Sequence, residues 1–341
     1  MPSQILHTLF GEDVIAGIGR MLRVRFGIEE EFRFSFVLGC QGPDIFYHSQ
    51  MTRPVGLEYG ALLHRRGSGA FTAALLNLAL PAAGITALGA YSLGFATHAI
   101  LDRACHPYIV YKTVKIDRDL PVRTDLPVRN IHAFFERILD VLMLEELRGN
   151  AAVWDQDSLA HICDEPPDGL KELLATALRR TFPERAGKDA KLAQRIDNTF
   201  RDCALFYRCT DPGRTSFLRE ILEEMPLVYL YPKDLPGDID YLNREHRDWY
   251  YPAGDSPADN RSFPDIYAQA QGAAVESLAP LIAAYLETGV FPIVEAARRI
   301  GNGGLSIQDA EGKPCAPSRS DPLPLERVLE QQRRERRERR I

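Results

Sequence analysis

The 341-residue sequence predicts an all-α protein. Apolar residues recur at spacings of three and four in one segment after another, which is the period of a helix with one buried face. The period-two alternation that is typical of half-buried strands is scarce, and 45% of the residues are hydrophobic, enough to build a large core. These observations predict a multi-helix bundle with long loops.

Five segments carry the helical spacing most clearly: Ile5–Ile18, Ile131–Leu147, Leu170–Leu178, Ser216–Glu224 and Ala268–Leu286. Stretches rich in Pro, Gly, Asp or Asn predict the loops, which are Gly39–Pro43, Lys112–Arg129, Pro166–Gly169, Pro232–Asp238 and Trp249–Pro264. We expect one α-helical domain over residues 1–300. The polar, arginine-rich tail over 301–341 is expected to be a solvated helix or a disordered end, with binding to RNA or to a membrane as the alternative.

Charge and cysteine usage narrow the class of protein. The net charge of −6 and the pI near 5.8 create no field that would draw the whole molecule to nucleic acid or an anionic membrane. The first residues lack the basic and then apolar pattern of a secretory signal, so we expect a cytoplasmic protein. The six cysteines form no CxxC pair, which indicates reduced thiols rather than disulfides or a thiolate zinc site.

One apolar stretch, Phe71–Ile100, contains no charged residue. A run of this length is the usual signal for a membrane helix. Pro81 and Gly84 divide it, which favours two shorter helices buried in the core, with a transmembrane helix as the alternative.

Two groups of polar residues at helical spacing point to metal chemistry. His98, Asp102 and His106 follow one another at intervals of four and would line one face of a helix that Pro107 is expected to end. His132 and Glu136 repeat this spacing, with Asn130 as the expected N-cap.

Imidazole and carboxylate bind zinc, iron or manganese. Each pair taken singly fits a simple hydrogen bond better than a metal site, but the pairs together favour metal binding. Six of the eight histidines lie in the first 132 residues, most of them in apolar segments where an unpartnered imidazole is costly. Asp44 follows Gly-Pro in a turn that aims a short carboxylate in one direction, although capping that turn is an alternative role. His48 lies four residues further along.

In order along the chain, this set of residues resembles the zinc-dependent phospholipase C family, whose helical fold is shared with the S1/P1 nucleases. The similarity covers about residues 1–140. The members of the set are His7, Asp44 in GPD, His64, His98 and Asp102 in GFxxHxxxD, His106, and His132 with Glu136.

The resemblance implies up to three zinc ions per chain. Asp44, His64, His98 and Asp102 would hold the first ion, and Asp102 would bridge to a second that also binds His7. The remaining ligands, His106, His132 and Glu136, would hold the third. Family members that are secreted use a processed N-terminal amine as a ligand, whereas this chain begins Met1-Pro2. His48 has no place in the scheme, and we expect it beside a ligand or the substrate.

The implied activity is hydrolysis of phosphate esters by metal-activated water, with Asp44 as general base. The substrate would be a phospholipid, with peripheral contact to a membrane, or a nucleotide or nucleic acid. The alternative is a non-catalytic binding or scaffold protein that its metals stabilise. A metal phosphohydrolase of the HD type is disfavoured, because the chain has no adjacent His-Asp pair.

Several aromatic residues lie close to these positions in sequence. They either contact the substrate or belong to the core, and they are Phe46, Tyr47, Tyr108 and Tyr111. His246, Trp249 and Tyr250 are expected either at the border of the cleft or in a surface turn. The oligomeric state is not predicted.

Overall fold

A computed structural model describes residues 4–80, 85–116, 128–149, 157–210, 230–232 and 234–338. Within these ranges the regular secondary structure is almost entirely helical. The α-helices are Gln4–Leu22 (α1), Arg33–Cys40 (α2), Leu57–Arg65 (α3), Ser68–Ala79 (α4), Ala87–Thr113 (α5), Val128–Arg148 (α6), Asp157–Asp164 (α7), Leu170–Thr181 (α8), Leu192–Thr210 (α9), Phe263–Thr288 (α10), Ile293–Ile300 (α11) and Leu325–Glu338 (α12).

Short elements complete the described fold. Two 3-10 helices span Glu30–Phe32 and Gly42–His48. Strands Trp249–Tyr250 (β1) and Ala258–Asp259 (β2) pair antiparallel, with Trp249 opposite Asp259. The all-α prediction is therefore confirmed.

Four of the five predicted helical segments lie inside α1, α6, α8 and α10, and the fifth, Ser216–Glu224, lies outside the described residues. The apolar stretch falls into α4 and α5, as predicted, although its dividing residues 81–84 are also outside. Among the described helices, none combines the length and the apolar character needed to cross a membrane.

Helix α5 lies at the centre of the bundle, where α1, α2, α4, α6 and α10 pack around it. Gly39 of α2 and Gly94 of α5 allow the closest of these contacts. A β-carbon on Gly39 would collide with the carbonyl of Tyr91, and one on Gly94 with the carbonyl of Phe36. The two backbones therefore approach at a distance that side chains would prevent.

Three predictions of local structure are wrong. Pro107 does not end its helix: α5 continues to Thr113, because the residues that follow the proline are buried in the core and their packing outweighs one lost hydrogen bond. Asn130 lies inside α6, which begins two residues earlier, at Val128. The predicted loop Gly39–Pro43 is instead the end of α2 and the start of the 3-10 helix Gly42–His48.

The predicted loops at 166–169 and 232–238 contain no helix where they are described, whereas Trp249–Pro264 also holds the two strands and the start of α10. Residues 301–338 pack on the rest of the chain. Leu305, Leu325, Val328 and Leu329 are buried in the same hydrophobic core as α5, and α12 contacts α6. The polar segment after Gly301 thus contributes to the core although it contains little regular structure before α12.

Candidate metal centre

The polar stripe of α5 faces the interior as the spacing predicts. His98 and Asp102 are 0% and 6% exposed, and the side chain of His106 is 12% exposed. Because α5 is central, this stripe meets polar residues from α1, α3, α6 and the 3-10 helix Gly42–His48. The structure thereby brings all eight predicted ligands together, in two adjoining parts.

The first part, called here the aspartate centre, consists of His7, Asp44, His64, His98 and Asp102. Its two carboxylates face the same three imidazoles. Asp44 Oδ1 is 2.9 Å from His64 Nε2, and Asp102 Oδ2 is 3.5 Å from the same nitrogen. His98 Nε2 lies 3.3 Å from Asp102 Oδ2 and 3.8 Å from Asp44 Oδ2. His7 Nε2 lies 3.3 Å from Asp102 Oδ1.

The second part, called here the glutamate centre, consists of His106, His132 and Glu136. Glu136 Oε1 is 3.1 Å from His132 Nε2 and 3.6 Å from His106 Nε2. The two imidazole rings are stacked, with centroids 5.3 Å apart. His106 Nδ1 is also 3.4 Å from Asp102 Oδ1, which joins the two centres.

Backbone carbonyls orient three of the imidazoles. His64 Nδ1 donates to the carbonyl of Gly60 (2.8 Å), and His98 Nδ1 donates to that of Cys40 (3.3 Å). His106 Nδ1 donates to the carbonyls of Leu305 (3.1 Å) and Asp102 (3.2 Å). Because a carbonyl only accepts, Nδ1 of each ring carries a proton, and Nε2 is the nitrogen that faces the carboxylates and would bind a metal ion. This is the tautomer and orientation that a metal-binding histidine requires.

Glycine makes room for one of these rings. Gly42 has a φ of +56°, and a β-carbon on it would collide with the ring of His98. The absence of a side chain therefore allows the turn that leads to Asp44 to lie directly against His98.

The ionisation of each group in the site depends on the charges of its neighbours. Burial opposes ionisation of Asp102, but the rings of His106 and His98 outweigh it and hold the pKa of this carboxyl well below its usual range. Burial likewise opposes the charged form of His64, yet Asp44 and Asp102 raise its pKa to about 10. A metal ion that binds His64 Nε2 must therefore displace a proton, so binding is expected to release protons.

The donor set fits metal ions. Three groups of residues have ligand atoms within 4.8 Å of one another, namely His7/His98/Asp102, Asp44/His64/His98 and His106/His132/Glu136. His98 Nε2 and Asp102 Oδ2 are buried without a hydrogen-bond partner in the described part of the chain, although they face each other. Buried carboxylates and orphaned imidazole nitrogens are costly unless a cation satisfies them.

A buried carboxylate positions His7 from a distance. Asp140 of α6 accepts hydrogen bonds from the backbone N–H groups of Gln4 (2.9 Å) and Leu6 (2.7 Å), which lie in the first turn of α1, where a helix supplies no acceptors of its own. Tyr231 Oη donates to the same carboxylate (3.1 Å). Asp140 thus fixes the start of α1, next to His7. Sequence reasoning missed this residue, although it continues the four-residue spacing of His132 and Glu136.

The segment after α11 orients His106. Leu305 donates its N–H to the carbonyl of His64 (2.8 Å) and accepts from His106 Nδ1, so its peptide groups connect α3 with α5. The guanidinium of Arg103 secures this segment, because it donates to the carbonyls of Gly301 (2.8 Å) and Gly304 (3.1 Å). No local pattern in the sequence indicated either residue, since both act through contacts between distant parts of the chain.

His48 lies outside both centres. It stacks on Phe206, with ring centroids 4.0 Å apart, and neither ring nitrogen has a hydrogen-bond partner in the described ranges. Burial lowers the pKa of His48 to about 3, so the ring is neutral. It therefore orients none of the ligands by a hydrogen bond. The N-terminal amine of Met1-Pro2 lies outside the described residues, as does most of the Lys112–Arg129 loop, residues 117–127.

The neighbouring aromatic residues separate into two kinds. Phe46, Tyr108 and Tyr111 are buried in the core, and only Tyr47 of these four is half-buried. Trp249 is buried as well and packs edge-on against Tyr108, at 5.5 Å between centroids.

His246 is exposed and donates from Nδ1 to the carbonyl of Asn260 (3.0 Å). Tyr250 packs beside Tyr111, with ring centroids 6.4 Å apart. His246, Trp249 and Tyr250 thus form contacts of their own segment and of the core rather than contacts with the two centres.

No protein-family model, curated protein or solved structure matches this chain.

Proposed function

We propose that this protein is a zinc-dependent phosphoric ester hydrolase, similar to phospholipase C. The observation that carries the proposal is the convergence of eight potential ligands on two adjoining centres, with His98 common to two of the ligand groups and Asp102 in contact with histidines of both centres. Nitrogen and oxygen donors without thiolate suit zinc, and a cluster of carboxylate-bridged cations is a common solution for phosphate ester hydrolysis. Bound zinc ions would polarise the phosphoryl oxygens and lower the pKa of an attacking water toward about 7.

Three α-helices and the 3-10 helix Gly42–His48, which carries Asp44, would hold the zinc ions of the aspartate centre in place. His98 and Asp102 are fixed on the central helix, His64 is held by Gly60, and His7 is held through the capped start of α1. This rigidity favours catalysis, because a preorganised site loses little free energy to rearrangement during the reaction.

Asp44 is the proposed general base. Its Oδ1 is engaged with His64 Nε2 at 2.9 Å, whereas Oδ2 lies 3.8 Å or more from the imidazoles of His98 and His7. Despite its burial, the His98 and His64 rings lower the pKa of Asp44, so the carboxylate stays ionised. Asp44 Oδ2 is therefore the atom that would accept the proton of the attacking water.

Substrate access is consistent with the uneven burial of the ligands. His7, Asp44, His98 and Asp102 are each at most 6% exposed, whereas the side chains of His64, His106 and His132 are 12 to 17% exposed. The more exposed imidazoles define the side from which a phosphate ester would enter. A phosphate group is small enough to approach there while the rest of the ester remains in solvent.

Hydrolysis of a phosphate ester by the zinc-loaded protein tests this proposal. We expect hydrolysis of the chromogenic phosphodiester bis(p-nitrophenyl) phosphate, and Asp44→Asn should lower kcat by about 10²-fold or more. Asp202→Asn is the matched control: Asp202 is equally buried, but it holds the backbone of Met51 and Thr52 instead of facing an imidazole. Full zinc content without hydrolysis of any phosphodiester or phosphomonoester would refute the hydrolase and support a metal-stabilised binding or scaffold protein.

A further inference from the structure

Tyr47 shares the 3-10 helix Gly42–His48 with Asp44. Side chains three residues apart in a 3-10 helix eclipse one another, so Tyr47 lies on the same side as Asp44. The ring of Tyr47 also packs on the ring of His64, a second predicted ligand, with centroids 4.7 Å apart and the planes tilted by 43°. Tyr47 is therefore fixed beside two ligands of the aspartate centre.

The Tyr47 hydroxyl has no assigned structural task. Within the ranges that the structure describes it makes no hydrogen bond, whereas Tyr59, Tyr108 and Tyr267 donate to a carboxylate or a carbonyl. The residue is half-buried, on the side where His64 also reaches solvent. A ligand that enters beside His64 would meet this hydroxyl.

The phenol of tyrosine carries its proton at neutral pH and is therefore a hydrogen-bond donor. Because its ring packs on His64 and its residue follows Asp44 by three positions in the same 3-10 helix, Tyr47 would offer this donor to a group that binds at the aspartate centre.

We propose that Tyr47 binds the phosphate group of the substrate by donating a hydrogen bond from Oη to a phosphoryl oxygen. The inference rests on the proposed function, because it requires a phosphate group at the two centres. A hydrogen bond to a charged oxygen is stronger than one between neutral groups, and a donor that its ring packing holds in place pays little entropy to form it. The aromatic ring itself acts as a spacer that rests on His64.

The test measures the affinity for inorganic phosphate as well as turnover. In zinc-loaded Tyr47→Phe protein, we expect an unchanged zinc content and an unchanged Tm, because the lost hydroxyl has no protein partner. The Kd for inorganic phosphate, measured by calorimetry, should rise about tenfold or more, and kcat/KM should fall by a similar factor. A purely structural role of Tyr47 would leave the phosphate Kd unchanged.

Tyr91→Phe is the matched control. Tyr91 also carries a hydroxyl without a hydrogen-bond partner in the described chain, but it is fully buried against Phe95, away from the ligands. Its variant should keep the wild-type phosphate Kd. Equal phosphate Kd values for wild type and Tyr47→Phe would overturn the inference and leave the hydrolase proposal standing. Phosphate binding weakened by Tyr47→Phe in a protein without turnover would support the inference while the hydrolase proposal failed.

Discussion

The aspartate centre and the glutamate centre use the same kinds of ligand but are built in different ways. The aspartate centre draws its five residues from α1, α3, α5 and the 3-10 helix Gly42–His48, so it exists only when the whole bundle is assembled. The glutamate centre draws its three residues from α5 and α6 alone, and two of them lie one turn apart on the same helix. The aspartate centre is therefore formed by tertiary packing, whereas most of the glutamate centre is a local sequence motif.

Burial follows the same division. His98 is fully buried, whereas the side chain of His132 is 17% exposed. An ion in the aspartate centre would be more deeply buried and held by two shared carboxylates, whereas one in the glutamate centre would have a single carboxylate and more contact with solvent. We therefore expect the glutamate centre to bind its ion more weakly and to exchange it first.

The largest effect is expected from Asp102→Asn. Its two oxygens face His7, His64 and His98, so loss of the charge should remove both ions of the aspartate centre and lower turnover by about 10³-fold or more. Metal analysis by mass spectrometry and a phosphodiester assay measure the two effects. A variant that keeps its full metal content and activity would contradict the role of Asp102 as a shared ligand.

A smaller effect is expected from Glu136→Gln, which should remove one ion and leave two. Turnover should fall less than in Asp102→Asn, on the order of 10²-fold, because the buried ligands remain in place. Glu146→Gln is the matched control, since Glu146 lies near the end of the same helix and, among the described residues, pairs with the exposed Arg244 rather than with a ligand. Loss of all metal ions from Glu136→Gln would show that the two centres do not bind metal independently, and it would contradict the difference in affinity that we expect between them.

The smallest effect is expected from Arg103→Lys, which tests the support of the glutamate centre. Lysine cannot reproduce the several hydrogen bonds that the guanidinium makes to the segment around Leu305, so His106 should be less well oriented. The zinc affinity of the weakest site should fall by about tenfold, measured by competition with a chelator, while the tighter sites are unchanged. Arg327→Lys, at an exposed pair with Asp238, should change no site. Equal effects of the two variants on zinc affinity would contradict the role of Arg103 in orienting His106.

Local spacing predicted the fold class and the polar faces of α5 and α6, whereas His7, Asp44 and His64 entered the predicted ligand set only through the family resemblance. The four-residue intervals of His98, Asp102 and His106 place these side chains on one face of a helix wherever that helix lies. The prediction at Pro107 was wrong. Because proline removes a backbone hydrogen bond, a local rule predicted that the helix ends there, whereas packing in the core allows the helix to continue to Thr113. Local rules therefore identify the residues on a face better than they identify the ends of a buried helix.

The supporting residues could not be predicted in this way. Asp140 acts on α1 across 136 positions of sequence, and Leu305 meets His106 from a segment whose composition resembles a solvated tail. These contacts depend on how the helices are arranged around α5, which no local spacing encodes. Asp140 alone had a signal, the continued spacing on α6, and only the assembled fold shows that its carboxylate turns to α1.

Metal content of the purified, untagged protein, measured by mass spectrometry under native conditions, tests the central claim most directly. We expect up to three zinc ions per chain, two in the aspartate centre and one in the glutamate centre, with the ion of the glutamate centre lost to a chelator before the others. Absence of stoichiometric metal, together with no uptake when zinc is added, would contradict it. The two centres would then be a buried network of histidines and carboxylates, and the proposed hydrolysis would have no basis.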